Sequence, residues 1–353
     1  MYRVAVIPGD GIGPEVIDGA VRVLKAVTGR VRFEYYEGGV DVFQECGSPI
    51  REEDLEEIRR SDAVLFGATT TPFDLPGYRS LILTLRKELG LYANLRIIPD
   101  LRTGREIVIV RENSEGLYFG IGAVVNGRAV DVRLITREGA ERIARFAVEQ
   151  AKARGSFITF VHKANVLTGD KFFRRIVREV AGEEGVEVRD AIIDSFTIKL
   201  VRNPWEHGVI LSENLFGDIL SDLATVHAGS IGIVPSGNYG DGIALFEPVH
   251  GSAPDIAGKG IANPIGAILS GAMLLDYLGL DGSLIRAAVR GYVVNGELTP
   301  DMGGRARTED VVRGIIGEIE DLLSMDEVWR DEIRLSRLES DISRMAGHHH
   351  HHH

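Results

Sequence analysis

The chain has 353 residues, of which 348–353 are an expression tag. The remaining chain is too long for one simple hydrophobic core, so its length predicts two domains. A formal net charge of −12 argues against a general binder of nucleic acids or anionic membranes, although a few local arginines could still hold a small acidic substrate. The single cysteine, Cys46, excludes an internal disulfide and a thiolate metal site. The sequence shows neither a signal peptide nor an apolar run of about 18 residues, so we expect a cytoplasmic protein without a membrane span.

The first hundred residues alternate apolar runs with helical patterns. Apolar runs predict strands at 2–7, 31–36 and 63–68, and helical spacing predicts helices at 15–27, 51–61 and 80–89. This alternation is typical of an α/β fold with a parallel sheet. The glycines of GDGIGP at 9–14 do not follow the usual dinucleotide-binding spacing and fit a turn between strand and helix, which leaves close backbone approach to a ligand open.

The middle of the chain continues the pattern after one excursion. Asn126-Gly127, between β-prone runs, predicts an antiparallel hairpin, and Thr136 is placed to cap the helix that follows. We predict strands at 106–111, 157–162, 186–194 and 209–211, and helices at 136–154 and 171–182.

The segment 214–226 predicts a helix with two acids on its apolar side. Asp222 falls inside the apolar arc and Asp218 falls at its edge, and an unpaired buried carboxylate is costly. The two acids therefore require either a divalent cation or an arginine or lysine across a helix contact. The predicted arc consists of Leu215, Phe216, Ile219, Leu223 and Val226.

The last third of the chain combines a short apolar run, a long loop and three helices. The loop at 248–264 is rich in glycine, proline and alanine, and its length suggests a function. The apolar run lies at 243–247, a very apolar and therefore buried helix at 265–278, and two closing helices at 283–295 and 308–323.

Two further sets of residues suggest chemistry. Arg86, Arg96 and Arg111 lie at or near element ends, where guanidinium groups suit a di- or tricarboxylate, although three separate surface arginines remain an alternative. Tyr118 lies in GLYFG and Lys163 follows a strand, and a nearby ammonium would favour the phenolate. Taken alone, either of these residues is more often structural.

Seven segments in order carry a family resemblance across essentially the whole untagged chain. The chain resembles the metal-dependent β-decarboxylating dehydrogenases, which act on isopropylmalate, isocitrate and homoisocitrate. The segments are IPGDGIGPEV (7–16), LRKELGLYANLR (85–96), VRENSEGLYFG (110–120), HKANVL (162–167), NLFGDILSD (214–222), EPVHGSAPDIAGKGIANP (247–264) and TPDMGG (299–304).

The resemblance implies an α/β fold of two domains, with a central mixed sheet and an active-site cleft between the domains. Residues 1–98 plus 230–346 would form the larger, mainly cofactor-binding domain. Residues 99–229 would form the smaller one, with an arm near 118–135. The active site would be completed in a homodimer, with helices such as 214–226 in a four-helix bundle.

The resemblance also assigns roles in catalysis and binding. Lys163, which like Asp194 would come from the second subunit, would draw off the hydroxyl proton with help from the metal-bound Asp cluster, which includes Asp194. Tyr118 would protonate the enolate carbon after CO₂ is lost. Mg²⁺ or Mn²⁺ would be held by Asp218 and Asp222 of one subunit and Asp194 of the other. The substrate contacts would be Ser80, Ile82, Arg86, Arg96, Arg111 and Asn165.

The cofactor implied by the resemblance is NAD. Asp255-Ile256 resembles the NAD form of the family, in which Asp255 accepts hydrogen bonds from the adenosine ribose and would repel the 2′-phosphate of NADP. The predicted cofactor contacts are His250, Gly251, Ser252, Ala253, Asp255, Ile256 and Asn263.

The helix before Arg86 gives mixed signals about the substrate. Ser80 and Arg79 favour a polar distal arm, whereas Ile82 favours an apolar one. We interpret the chain as a homoisocitrate or isocitrate enzyme. The alternatives are 3-isopropylmalate dehydrogenase, then a tartrate or D-malate dehydrogenase, and then a non-catalytic regulatory subunit that keeps the fold.

Overall fold

The computed structural model describes residues 1–325, 332, 334–342 and 344, so the tag at 348–353 and the predicted domain end at 346 lie outside the described residues. The chain divides into two compact units. The first unit comprises Met1–Leu91, Pro99–Gly104 and the described part of Ala228–Arg330. The second comprises Tyr92–Ile98, Arg105–His227 and the described part of Asp331–His353. The domain boundaries implied by the resemblance stay a prediction.

The strands are β1 (Tyr2–Gly9), β2 (Val31–Tyr35), β3 (Ala63–Ala68), β4 (Ala93–Pro99), β5 (Glu106–Glu112), β6 (Gly122–Val125), β7 (Arg128–Asp131), β8 (Ile158–His162), β9 (Val188–Ile192), β10 (Val209–Ser212), β11 (Pro235–Tyr239) and β12 (Ala244–Pro248). The helices are α1 (Gly13–Val27), α2 (Val40–Cys46), α3 (Glu52–Arg59), α4 (Leu81–Glu88), α5 (Arg137–Ala153), α6 (Thr168–Glu183), α7 (Ile193–Arg202), α8 (Asn214–Ala224), α9 (Ile265–Tyr277), α10 (Ser283–Asn295) and α11 (Thr308–Ser324).

In the first unit, the strands follow the order β2-β1-β3-β12-β11. The pairs β1–β2, β1–β3 and β3–β12 are parallel, and β11–β12 is antiparallel. Helix α9 is buried from Ile265 to Leu275, because its sequence is apolar on every side, and it packs on α1 and β12. This confirms the predicted buried helix.

In the second unit, the strands follow the order β4-β5-β10-β8-β9, and the pairs β5–β10, β8–β10 and β8–β9 are parallel. Strands β6 and β7 form a separate antiparallel hairpin, with positive φ at both Asn126 and Gly127, as a tight two-residue turn requires. The predicted α/β class, with a large mixed sheet, is confirmed. No helix of the described residues is both long and apolar enough to cross a membrane.

One sequence-based expectation near the candidate site is wrong. The strand predicted at 186–194 ends at Ile192, so Asp194 lies in the first turn of α7 rather than at a strand end. The predicted apolar arc is partly exposed in this chain, since Ile219 on α8 is 52% and Val226, just after α8, is 64% exposed, and its role in a dimer stays a prediction. The buried face of α8 instead consists of Asn214, Gly217, Leu220, Ser221 and Ala224, because small and polar residues allow close approach to β5 and β10.

Candidate active site

The first turn of α8 is fixed by its own side chains. Glu213 is the N-cap, and its Oε1 accepts a hydrogen bond of 2.6 Å from the Phe216 amide. The Asn214 side chain donates to the Glu115 carbonyl at 2.9 Å. These contacts anchor the helix one turn before Asp218, and Asp222 follows four residues later on the same side.

Two buried arginines face these acids. Arg96 Nη1 lies 3.6 Å from Asp218 and 3.7 Å from Asp222, and Arg111 Nη1 lies 3.5 Å from Asp218. Arg96 comes from β4 and Arg111 from β5, and both are at most 8% exposed. The three separations exceed an ordinary hydrogen bond. The acids therefore do meet arginines, which is one of the two outcomes that the sequence left open.

Each arginine is oriented by neutral groups. Arg96 Nε donates to Asn94 Oδ1 at 2.8 Å, and its Nη1 donates to Ser221 Oγ at 2.5 Å. Arg111 donates to the Asn214 carbonyl and side-chain oxygen at 2.8–3.1 Å. Residue 217 must be glycine because a Cβ there would lie 2.7 Å from Arg111 Cγ. Neutral groups thus hold both guanidinium groups in place beside the two acids.

Asp222 is the exposed member of the acid pair, with a side chain 66% exposed against 34% for Asp218. Partial burial raises the pKa of the Asp222 carboxyl, and the Asp218 charge adds to that rise. The guanidinium groups of Arg96 and Arg111 oppose it. A divalent cation on the two oxygens would relieve the repulsion between them.

The two acids fit a hard divalent cation by their donor chemistry, because carboxylate oxygens are the ligands that Mg²⁺ and Mn²⁺ prefer. Among the described residues, no group of three His, Cys, Asp or Glu side chains that could hold a metal occurs within one chain. Asp218 and Asp222 stay predicted ligands, and the predicted third, Asp194, is not grouped with them within one chain.

Tyr118 joins the acid cluster. It lies in a short 3₁₀ helix, Leu117–Phe119, and its hydroxyl donates to Asp218 Oδ2 at 2.6 Å. The Arg111 guanidinium lies 5.2 Å from the centre of its ring. The phenol is 44% exposed, so a substrate could reach it.

Lys163 forms a second, separate pair. Its Nζ donates to Asp194 Oδ1 at 2.6 Å, and this hydrogen bond lowers the pKa of the Asp194 carboxyl. Lys163 follows β8 in a turn closed by the Val166 and Leu167 amides on its carbonyl. Asn165, a predicted substrate contact, lies exposed in the same turn.

The residue before Lys163 belongs to a charged network. His162 Nε2 lies 2.9 Å from Asp190 Oδ1, and its Nδ1 accepts from the Ala164 amide. Burial opposes ionisation of Asp190, but hydrogen bonds from Arg174, Arg178 and His162 prevail and lower its pKa to about 2.

In the first unit, the predicted cofactor segment lies directly on the turn between β1 and α1. The Ile12 amide donates to the Ser252 carbonyl at 2.8 Å, and Ser252 Oγ lies 2.6 Å from Thr70 Oγ1. A Cβ on Gly11 would lie 2.0 Å from the Ser252 carbonyl oxygen, so only glycine fits. The turn that we predicted at GDGIGP is confirmed, and it supports residues of the loop at 248–264.

His250 has an unsatisfied acceptor. Its Nδ1 lies 2.9 Å from the Gly251 carbonyl, which requires the proton on that nitrogen, and burial lowers the pKa of the ring. The neutral ring leaves Nε2 buried with no hydrogen-bond partner among the described residues. A ligand with a hydroxyl or amino donor, such as the adenosine part of NAD, would satisfy this atom.

The other predicted cofactor residues differ in exposure. Asn263 is 5% exposed; its Oδ1 accepts from the Ile265 amide at the start of α9, and its Nδ2 donates to Asp301. Ala253 has a positive φ of 43°, and its carbonyl accepts from the Ile256 amide. Gly251 and Asp255 lie exposed in this loop.

The remaining predicted substrate residues lie on or beside α4. Ser80 is buried at the helix start, and Ile82 is 8% exposed inside a hydrophobic cluster with Leu85. Arg86 Nη2 lies 4.0 Å from Glu247, and its buried Nε has no hydrogen-bond partner among the described residues. An unsatisfied guanidinium nitrogen fits an incoming carboxylate.

Sequence reasoning missed the residues that orient the arginines and α8. Asn94, Ser221, Glu213 and Asn214 are 0–3% exposed and make the contacts described above. Ser221 offered one signal, since it is spaced three residues from Asp218. The Asn94–Arg96 contact also had a signal, the two-residue spacing that places both side chains on one face of a strand.

Comparisons with known proteins give the same family along nearly the whole chain. The model of the isocitrate/isopropylmalate dehydrogenase family matches residues 3–315. The isocitrate/homoisocitrate dehydrogenase of Pyrococcus horikoshii is 69% identical over 97% of this chain and 100% of its own. The 3-isopropylmalate dehydrogenase of Archaeoglobus fulgidus is 43% identical over 87% of this chain and 96% of its own. The crystal structure of isocitrate dehydrogenase from Methylococcus capsulatus superposes with a TM-score of 0.86 at 38% identity, over 90% of this chain and 99% of the other. The chain belongs to the isocitrate/isopropylmalate dehydrogenase family.

Proposed function

We propose that this protein catalyses the NAD-dependent, divalent-metal-dependent oxidative decarboxylation of a malate-type 2-hydroxy acid, with homoisocitrate or isocitrate as substrate. The observation that carries the proposal is the pair of buried arginines held by neutral groups next to Asp218 and Asp222. Guanidinium groups suit the substrate carboxylates, and the acids suit the cation. The relative from Pyrococcus horikoshii adds support, because its name gives both isocitrate and homoisocitrate as substrates.

The chain's own residues account for binding and for two proton transfers. Arg96 and Arg111, with Arg86 as the predicted third, bind carboxylates of the substrate. Lys163 takes the proton of the C2 hydroxyl, and Tyr118 delivers a proton to the enolate carbon after CO₂ leaves. When bound, NAD supplies the hydride acceptor at C2 and the cation supplies Lewis-acid chemistry. Asp218, Asp222 and the Asp194 of a second subunit would hold the cation.

The cofactor assignment rests on the loop at 248–264. Asp255 is exposed and would accept from the ribose hydroxyls, and its charge would repel a 2′-phosphate. The unsatisfied His250 Nε2 provides an acceptor for the adenosine.

The choice of substrate has less support than the type of reaction. Ser80 favours a polar distal group, whereas Ile82 lies mainly in a hydrophobic cluster. The second candidate is therefore 3-isopropylmalate, which the name of the Archaeoglobus fulgidus relative supports. A non-catalytic regulatory subunit is disfavoured, because Tyr118, Lys163 and all three predicted metal ligands are present.

The test is a panel of kcat/KM values for homoisocitrate, isocitrate, 3-isopropylmalate, D-malate and tartrate, each with NAD or NADP and with Mg²⁺, Mn²⁺ or EDTA. We expect NADH and CO₂ in equal amounts from the first two substrates, and loss of turnover in EDTA. A large preference for 3-isopropylmalate would overturn the substrate, and a preference for NADP would overturn the cofactor. Inactivity on the whole panel would favour the regulatory subunit.

A matched pair of variants tests the arginine assignment. Arg111→Met should lower kcat/KM by about 100-fold or more, since a buried charged contact to the substrate is lost. Arg313→Met, on the exposed face of α11, should leave kcat/KM unchanged because that arginine pairs with Glu309 on the surface.

A further inference from the structure

Arg133, in the segment that follows β7, contacts two buried acids that support different parts of the candidate site. Its Nη2 donates to Asp170 Oδ1 at 2.5 Å, and its Nε donates to Glu213 Oε2 at 3.4 Å. Asp170 is 1% exposed and the Glu213 side chain 4% exposed. Arg133 is the cation that forms salt bridges with both of these acids within the described residues.

The second carboxylate oxygen of each acid accepts a hydrogen bond from a backbone amide. Asp170 Oδ2 accepts from the Lys163 amide at 2.6 Å, and Glu213 Oε1 accepts from the Phe216 amide at 2.6 Å. The first contact fixes the turn that carries Lys163. The second caps α8, which carries Asp218 and Asp222. One guanidinium group therefore connects the supports of the Lys163 turn and of α8, which in the proposed homodimer serve two different active sites.

The backbone beside Arg133 reaches a third part of the site. Leu134 forms a bridge with Gly116, with N–H to O distances of 2.8 and 3.3 Å, and Tyr118 follows Gly116 by two residues. The Arg133 guanidinium also lies 5.4 Å from the ring centre of Phe216, in the first turn of α8. The arginine is thus held by packing as well as by charge.

We propose that Arg133 is a positioning residue that sets the Lys163 turn and the start of α8 relative to each other. The proposal rests on the proposed function, in which Lys163 takes the hydroxyl proton and α8 carries metal ligands. Without the guanidinium, two buried carboxylates would repel each other and release their amides. Displacing a catalytic group by about 1 Å can cost about 100-fold in rate.

The first experiment compares Arg133→Met with the control Arg137→Met, whose arginine lies exposed in the first turn of α5. Hydrogen exchange should speed up by about tenfold or more at the Lys163 and Phe216 amides in Arg133→Met, and stay unchanged in α11. At saturating substrate and Mn²⁺, kcat should fall by about 100-fold with a smaller change in KM. Calorimetric titration with Mn²⁺ alone should show about tenfold weaker binding. Arg137→Met should match the parent in all three measurements.

A second variant covers the case in which Arg133→Met does not fold. The pair Arg133→Gln with Asp170→Asn removes one charge of each sign, so the buried net charge is kept, and the Asn oxygen still accepts from the Lys163 amide. We expect this variant to fold, with faster exchange at Phe216 and kcat at least about tenfold lower.

Parent-like exchange and parent-like kcat in either folded variant would overturn the positioning role. If the parent itself proved inactive on every substrate, the proposed function would fail, while the exchange rates at Lys163 and Phe216 would still decide whether Arg133 holds both segments.

Discussion

The assignment of Lys163 and Asp222 to different subunits of one active site can be tested by pairing two inactive variants. Lys163→Met removes the proposed base and should lower kcat by about 10²–10⁴-fold. Asp222→Asn removes one proposed metal ligand and should have a comparable effect. In a heterodimer of the two variants, one of the two sites receives the intact Lys163 from one chain and the intact Asp222 from the other. The second site receives both defects.

The purified heterodimer should therefore show about half of the parental kcat per dimer, since a two-fold symmetric dimer has two equivalent sites and one of them is intact. If each site were built from a single chain, both sites of the heterodimer would be defective, and activity would stay at the level of the separate variants. The two models differ by a factor of at least about 50 when each variant retains about 1% of the parental kcat.

The assay needs two affinity tags, co-expression and purification of the doubly tagged species, followed by NADH production at saturating substrate and Mn²⁺. The matched control pairs Lys163→Met with Asp194→Asn. Because both residues are assigned to the same side of each site, that heterodimer has no intact site and should remain inactive. Recovery in the control, or its absence in the Lys163–Asp222 pair, would refute the shared-site reasoning.

Three further predictions follow from individual contacts. Asp190→Asn should lower the free energy of unfolding at pH 7 by about 1–2 kcal/mol. Because folding lowers the pKa of this carboxyl to about 2, the difference in unfolding free energy between parent and variant, measured by denaturant titration, should shrink as pH drops from about 4 towards 2. A difference that stays constant over this range would contradict the assignment. Asp255→Lys with Ile256→Tyr should shift the NAD-to-NADP ratio of kcat/KM by about 100-fold towards NADP, whereas Asp241→Lys, an exposed control, should not. If the protein forms the proposed homodimer through α8, Ile219→Asp should raise its dissociation constant by at least about tenfold in sedimentation, and an unchanged constant would show that α8 is not part of an interface.

The sequence predicted well those elements whose burial is uniform. Strand β3 is apolar throughout and β1 and helix α9 are mostly apolar, so pattern and structure agree. Strand β4 was not predicted, because Asn94 and Arg96 interrupt its apolar pattern with buried polar side chains. The interruption has a physical basis, since these two residues form a part of the site.

Strand β11 was missed for a related reason. Its sequence, PSGNY, is typical of a turn, yet Asn238 is fully buried and donates to Glu247 at 2.8 Å. Such long-range partners are invisible to local patterns. The supports of the site, such as Arg133 with Asp170, are equally long-range, so spacing along the chain could indicate the two aspartates but not what holds them.

Helix α8 presents two faces that a single chain uses differently. Asp218 points towards Arg96 and Arg111, whereas Leu223 lines a groove of about 330 Å³ between α7 and α8. Ile219 is also exposed. Burying that apolar face against a second copy would release free energy that one chain leaves unused. Since Asp222 lies one residue before Leu223, any copy that covers the apolar face comes close to the acids. Metal binding and dimerisation would then strengthen each other, so dilution should weaken both together.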